Sequence, residues 1–316
     1  MTNNDELLSI RAAELYYEED KTQDEIGTIL RLTRWKVGRL LAQAKANGFI
    51  RIQIVHPRAR RLGLERRLRD ATGLTEAVVV STAGVVDDLD LQRRTAQVAA
   101  DYLTTLRPVP RTLGISWGRT LHDISEQLAH GWSTGVNVVQ INGGVSLNAH
   151  PGTAAATAVS IAQKGAGHFT LLPSPAILER AETKQALAAD RSVAAVLELG
   201  ATASAYLFSA GQADEASAHV ASGYLTPAQV EVLVQKGAVG DVVGRFINSA
   251  GQIVDPELDE RTLGIPLEQL RRATTAIAVI GGARKHAIAR AVVQSGLCTV
   301  LITDEDTANA LLAREP

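Results

Sequence analysis

One cysteine, Cys298, occurs in 316 residues, which excludes an intrachain disulfide and a cysteine-ligated metal cluster. Its setting, Leu297-Cys298-Thr299-Val300-Leu301-Ile302, is apolar and predicts a buried core thiol. Aromatic residues are scarce too, at 4% against 46% apolar overall. The core is therefore expected to consist of Ala, Val, Leu and Ile, the mix of helices packed on a parallel sheet. No stretch approaches the roughly 20 apolar residues that span a bilayer. Asp5 and Glu6 precede any apolar run, unlike a secretory signal, so a cytoplasmic protein with no membrane partner is expected. The seven histidines show no metal-ligand spacing, and no order of Ser, His and Asp suggests an acyl-transfer triad. His168 and His286 read as surface or strand-end residues. Neither a P-loop nor a complete dinucleotide fingerprint is present, which disfavours ATP and NAD; no metal, catalytic residue or cofactor is expected.

What is present is an uneven distribution of charge. The net charge is −2, yet residues 1–30 carry 2 basic and 8 acidic side chains, and residues 31–69 carry 12 basic ones against Glu65 alone. A segment with a net charge of +11 suits a polyanionic partner. The remainder, with 18 basic and 25 acidic residues, has no comparable block.

Asp5 to Glu19 places Leu7, Ile10, Ala13, Leu15 and Tyr17 at broadly helical spacing. Thr22-Gln23-Asp24-Glu25 reads as a capping box ahead of a short helix with Ile26, Ile29 and Leu30 on its apolar face. Arg31-Leu32-Thr33 is a break, and Thr33 is placed to cap a third helix from Arg34 to Asn47 whose inner face is Val37, Leu40, Leu41 and Ala44, with Gly48 ending it. Arg34, Trp35, Lys36 and Arg39 then face outward at the start of that helix, where a recognition helix meets the major groove. Ile50-Arg51-Ile52-Gln53-Ile54 alternates like a half-buried wing strand. The pattern predicts a winged helix-turn-helix in residues 1–56, with Arg34 and Arg39 candidates for base edges or phosphates and Gln23 for a phosphate. Trp35 either packs on the wing or touches DNA. In the segment 57–74, six arginines interleave with Leu62, Leu64 and Leu68, which predicts a linker helix whose leucines pair with another subunit, the alternative being arginines laid against phosphate.

Residues 75–316 repeat a strand, glycine turn and helix rhythm, predicting an α/β domain with a mostly parallel sheet. Strands are expected at 77–80, 112–115, 136–141, 169–172, 205–208, 242–247, 276–280 and 299–302. Ligand sites in such sheets lie beyond the carboxyl ends of strands. Ser116-Trp117-Gly118-Arg119-Thr120 leads from a strand into a helix, so its amides, hydroxyls and helix dipole suit an anion. Asn142-Gly143-Gly144 lets the backbone approach a ligand closely, although glycine turns also recur for structural reasons. Asp241 suits two sugar hydroxyls or caps a strand; Lys285, after Gly281-Gly282, suits a phosphate or carboxylate or is solvated.

The ordered set Thr22-Gln23-Asp24-Glu25-Ile26, Thr33–Leu41, Gly114–Thr120, Gln140–Gly144, Gly240–Phe246 and Gly281–Lys285 resembles the sorbitol-operon regulator (SorC) family of bacterial transcription factors across nearly the whole chain. The resemblance implies a C-terminal effector domain related to the sugar-phosphate isomerase and CoA-transferase superfamily, acting as a switch and not as an enzyme. It implies that Ser116–Thr120 and Lys285 hold the phosphate or equivalent end of the effector and that Asp241 contacts hydroxyls. The implied partners are double-stranded operator DNA, a sugar, polyol or sugar-phosphate effector, and further copies of the chain in a dimer or tetramer. The rival reading is a sugar-phosphate isomerase or deaminase with an accessory DNA-binding domain, for which Asp241 is the candidate general base.

Overall fold

The computed structural model describes residues 3–50, 59–144 and 154–313. It divides into two compact units, Met1–Ile54 and Val55–Pro316.

The first unit holds α1 (Asn3–Tyr17), α2 (Gln23–Leu30) and α3 (Arg34–Ala46). Thr22 and Glu25 form the expected capping box, and the Thr33 hydroxyl accepts the Lys36 amide to start α3. Arg31, at φ 55°, supplies the left-handed turn between α2 and α3. Gly27 makes that turn possible, because a Cβ there would lie 2.8 Å from the Leu32 carbonyl oxygen. Val37, Leu40, Leu41 and Ala44 are all buried, as their spacing requires. At the far end the Phe49 amide donates to Ala44 O and the Gly48 amide to Lys45 O, with Gly48 at φ 76°, the Schellman pattern. The α1 face differs from expectation. Ala12 and Leu15 are buried and Leu8 packs beside them, whereas Leu7, Ile10 and Tyr17 are exposed, because the face meeting α3 is the 8, 12, 15 stripe. Ile29 of α2 is exposed as well. The wing strand expected over 50–54 lies, beyond Ile50, outside the described residues.

In the second unit the chain runs α4 (Leu62–Thr72), β1 (Glu76–Val80), α5 (Asp88–Thr105), β2 (Thr112–Ile115), α6 (Arg119–Gln127), β3 (Asn137–Gln140), α7 (Ala154–Lys164) and β4 (His168–Thr170). It continues through α8 (Ala181–Ala189), α9 (Arg191–Ala201), β5 (Ala205–Phe208), β6 (Ala210–Gly211), α10 (Ala218–Ala221), α11 (Pro227–Gln235), β7 (Gly240–Val242) and β8 (Arg245–Ile247). α12 (Pro256–Arg261), α13 (Leu267–Arg272), β9 (Ala276–Val279), α14 (His286–Gln294), β10 (Val300–Asp304) and α15 (Glu305–Leu312) complete it. Seven strands form one parallel sheet in the order β1-β10-β9-β5-β2-β3-β4, and β6-β7-β8 form a small antiparallel sheet.

Side chains alternate between two cores, one on each face of the large sheet. Val78, Leu113, Leu207, Ile277 and Ile302 pack with Ala96, Leu121 and Ile161 of α5, α6 and α7. Val79, Tyr206, Phe208, Ala278 and Leu301 pack with Leu68, Ile288 and Leu270 of α4, α14 and α13. This three-layer arrangement explains strands that read as continuous apolar runs. Cys298 is buried as expected, which pushes its thiol up to about 12.

Two expectations are corrected. The run 242–247 is a hairpin and not one strand: Val243 at φ 48° and Gly244 at φ 86° form a two-residue turn, and the first of these is a strained conformation for a β-branched residue. The leucines of 57–74 serve this chain's own core. Leu68 is fully buried and Leu64 packs against the same cluster, since α4 lies on β1 and α15. Only Leu62 is exposed, at 68%. Leu68→Ala is accordingly expected to cost about 2–5 kcal/mol, and Leu62→Ala less than about 0.5 kcal/mol, read from denaturant midpoints at two protein concentrations. The order reverses if these leucines instead hold a subunit interface.

Candidate ligand cavity and nucleic-acid interface

The strand order turns between β2 and β5: β2, β3 and β4 step toward one edge, and β5, β9 and β10 toward the other. Loops leaving adjacent strands part at such a point and leave a crevice beyond their carboxyl ends. A cavity of about 360 Å³ lies there, walled by the residues that follow β2, β3, β5 and β9 and by the small sheet. Ser116, Trp117, Gly118, Arg119, Thr120, Asn142, Asp241 and Lys285 all line it.

After β2, Gly118 takes φ 135° and no side chain caps α6, so the first-turn amides of that helix remain open for an acceptor. Ser116 is buried and its hydroxyl has no hydrogen-bond partner, as is true of Asn142 Oδ1 and Ser209 Oγ in the same wall. Unpaired buried polar atoms are costly, and their gathering here marks a surface whose hydrogen bonds are completed by something else. Arg119 is exposed, and Thr120 is half-buried behind it.

Asp241 leaves β7 almost completely buried. One carboxylate oxygen, Oδ2, accepts the Gly244 amide at 3.0 Å and lies 3.2 Å from His219 Nε2. The other, Oδ1, lies 1.9 Å from where a Cβ on Gly211 would stand, so a side chain there would displace the carboxylate. His219 is held between Trp117 and Phe246, with ring centroids 6.0 and 5.6 Å away. Sequence reasoning missed His219, because nothing local announces a contact across 22 residues of chain. Ser209 and Gly211 carried a legible signal: they follow the apolar strand β5 as small residues follow β2.

Lys285 reaches the cavity from a turn of 3-10 helix, Ala283–Lys285, that precedes α14. Burial holds its ammonium down to about 8; Asp241 opposes that shift and Arg119 adds to it. Asp304 fixes the turn, its Oδ2 accepting the Gly282 amide at 2.7 Å. His286, expected at the surface, is half-buried as the first residue of α14.

Gly143 and Gly144 do not line the cavity. A Cβ on Gly143 would lie 2.1 Å from Pro175 O, and one on Gly144 2.6 Å from the Ala154 methyl. Close packing of the chain against itself, and not approach to a ligand, requires glycine at both places. The Trp117 indole N–H donates to Gly143 O at 2.7 Å, tying the loop after β2 to the loop after β3.

In the first unit, α3 presents a mixed face. Arg39 and Arg34 are exposed, and Arg34 Nη1 lies 3.4 Å from Asp24 Oδ2. Lys36 does not project freely: its ammonium lies 3.1 Å from Asp5 Oδ1 of α1, which packs on α3. Gln23 sits at the start of α2 against Gly38, where a Cβ would be 3.2 Å from its Oε1. Trp35 is 89% exposed. No helix among the described residues is long and apolar enough to cross a membrane, and no group of three His, Cys, Asp or Glu among them is placed to hold a metal.

Residues 56–313 match the family described as "Putative sugar-binding domain". The chain is 31% identical to the deoxyribonucleoside regulator of Bacillus subtilis over 99% of both chains, and 30% identical to the erythritol catabolism regulatory protein EryD of Brucella abortus over 99% of both. The full-length sorbitol operon regulator SorC of Klebsiella pneumoniae superposes with a TM-score of 0.74 at 26% identity, covering 97% of this chain and 98% of that one. With a family match over most of its length and end-to-end similarity to these regulators, the chain belongs to the sugar-binding-domain family of sorbitol-operon-type transcriptional regulators.

Proposed function

We propose that this protein is a transcriptional regulator of a carbohydrate-catabolism operon whose operator binding is set by a sugar, polyol or sugar-phosphate effector. Residues 1–56 are its winged helix-turn-helix and contact double-stranded DNA through Gln23, Thr33, Arg34, Trp35, Lys36 and Arg39. The body from residue 75 is its effector domain, a relative of the sugar-phosphate isomerase and CoA-transferase superfamily that binds without turnover, and the working form is a dimer or tetramer. The observation that carries the reading is the cavity at the sheet's switch point, in which an open helix N-terminus and the Lys285 ammonium share a wall with Asp241 and unpaired hydroxyl and amide oxygens. Cationic groups suit a phosphate or carboxylate, and Asp241 accepts hydroxyl protons, which describes the two ends of a sugar phosphate or sugar acid. Thr33 acts through its cap of α3, and Lys36 meets phosphate by exchanging Asp5 for it.

The regulatory step requires that the effector bind two arrangements of the protein with different affinity; tight binding alone shifts nothing. Fluorescence anisotropy tests it, with the DNA upstream of the protein's own gene against a random fragment, at fixed salt, with and without a panel of sugars, polyols and their phosphates. Specific binding shifted by one compound supports the reading; equal binding to both DNAs, untouched by the panel, overturns it. With that compound in hand, the double variant Asp241→Ala, Lys285→Ala is expected to bind the operator as the parent does and to lose the effector response. Retention of the response removes both residues from the site.

Lys285 gives the site a pH signature. A lysine held down to about 8 is charged below that pH and neutral above it, so affinity for a sugar phosphate is expected to fall as pH rises from 7 to 9. An anion bound beside it favours the ammonium, so binding near pH 8.5 takes up protons, visible as a dependence of calorimetric enthalpy on the buffer's ionisation heat. Lys285→Met is expected to flatten both. On the DNA side, Arg34→Ala is expected to cost about 1–3 kcal/mol and relax preference at one base position if Arg34 reads a base. A uniform loss across sequences with a smaller salt slope places it on a phosphate instead.

A further inference from the structure

Trp35 is the most exposed large apolar side chain among those described, at 89%, and it stands in the first turn of α3. An isolated surface tryptophan on an ordinary helix needs no explanation. This one differs in its neighbours. Arg34 on one side leans to Asp24 and Lys36 on the other to Asp5, so in the absence of DNA the flanking cations turn toward α2 and α1. The core face of α3, Val37, Leu40, Leu41 and Ala44, is filled without the indole. Arg39, one turn further along, shares the outward face with Trp35 at the i, i+4 spacing and is exposed. The leading element of that face is therefore apolar, with a cation behind it.

The major groove offers one apolar group to a side chain, the C5 methyl of thymine. From this juxtaposition we infer that Trp35 is a specificity-determining residue that reads a T·A pair by packing its indole on the thymine methyl, while Arg39 contacts the neighbouring phosphate or base edge. The inference rests on the DNA-binding reading of the first unit and adds to it the chemistry of one contacted position. The contact removes methyl and indole surface from water and adds no charge neutralisation. It therefore sharpens sequence preference while leaving the salt dependence of binding unchanged.

The test is selection from a randomised duplex library by the full-length protein and by Trp35→Ala, followed by replacement of single thymines with deoxyuridine, which lacks only the methyl. The parent is expected to select a motif with one thymine per half-site that Trp35→Ala no longer prefers, the other positions being kept. Deoxyuridine at that position is expected to weaken the parent about fourfold, the equivalent of one buried methyl, and to leave Trp35→Ala unchanged. Trp35→Phe is expected to retain part of the preference. The salt slope is the same for all three proteins, and circular dichroism shows unchanged helix in the variants, because the indole packs on no core residue among those described. Persistence of every thymine preference in Trp35→Ala, or indifference of the parent to deoxyuridine, overturns the inference while the DNA-binding reading stands. A parent that selects no motif at all ends both.

Discussion

Asp304, the last residue of β10, carries no exposed surface, and its two oxygens join two pieces of the structure, the start of α15 and the turn after β9. Oδ1 accepts the amides of Asp306 and Thr307 and so caps α15; Oδ2 accepts the Gly282 amide and the Thr307 hydroxyl. A buried carboxylate is tolerable only when its lone pairs are filled in this way, and filling them fixes their donors. A Cβ on Gly281 would lie 2.9 Å from that same Oδ2, so the turn after β9 approaches as closely as glycine allows. The next residue, Glu305, receives Arg61 Nε at 2.7 Å. Arg60 bridges to Val80, and the Arg61 amide donates to Val79 O, so the stretch leading into α4 runs antiparallel along the edge strand β1. Two consecutive residues thus hold the turn that carries Lys285 and the segment that covers the sheet edge.

Where one face of an element does all the burying, the sequence discloses the structure. Val37, Leu40, Leu41 and Ala44 lie inward because no other α3 positions could, and the parallel strands read as apolar runs because both faces of the sheet are covered. On α1 the apolar residues Leu7, Ile10 and Tyr17 lie on an exposed face while Leu8, Ala12, Ala13 and Leu15 do the packing, so apolar spacing alone does not mark the stripe. α8 has no buried residue and hence no stripe to detect. The hairpin at 240–247 was hidden for another reason: Val243 has strand propensity but takes a left-handed conformation, imposed by tertiary context beside the cavity.

Legibility of the candidate site followed the same logic. Ser116–Thr120, Asn142 and Lys285 follow β2, β3 and β9, and a parallel sheet carries all its strand ends to one edge; Asp241, inside β7 of the small antiparallel sheet, was marked only by the glycines around it. Gly143 and Gly144 shared that signature, yet a glycine serves close packing as readily as ligand approach, and only the positions of Pro175 and Ala154 distinguish the two. His219 was beyond reach, because its partner Asp241 belongs to a different element and its aromatic neighbours to two more.

The basic block of residues 31–69 is less uniform than its count implies. Arg60 is locked in two hydrogen bonds to Glu65, a nearly buried carboxylate that also accepts the Val79 amide, so withdrawing it would strand a charge in the core. Arg61 is likewise engaged by Glu305. The Arg34–Asp24 pair is of another kind, with both side chains about two-thirds exposed at 67% and 70%, where an ion pair contributes about 0–1 kcal/mol and exchanges readily for a phosphate. Arg34 on α3 can therefore transfer its charge to a polyanion, while Arg60 and Arg61 ahead of α4 are committed to the body. Composition locates the basic segment; the burial of each partner decides which of its cations a nucleic acid can recruit.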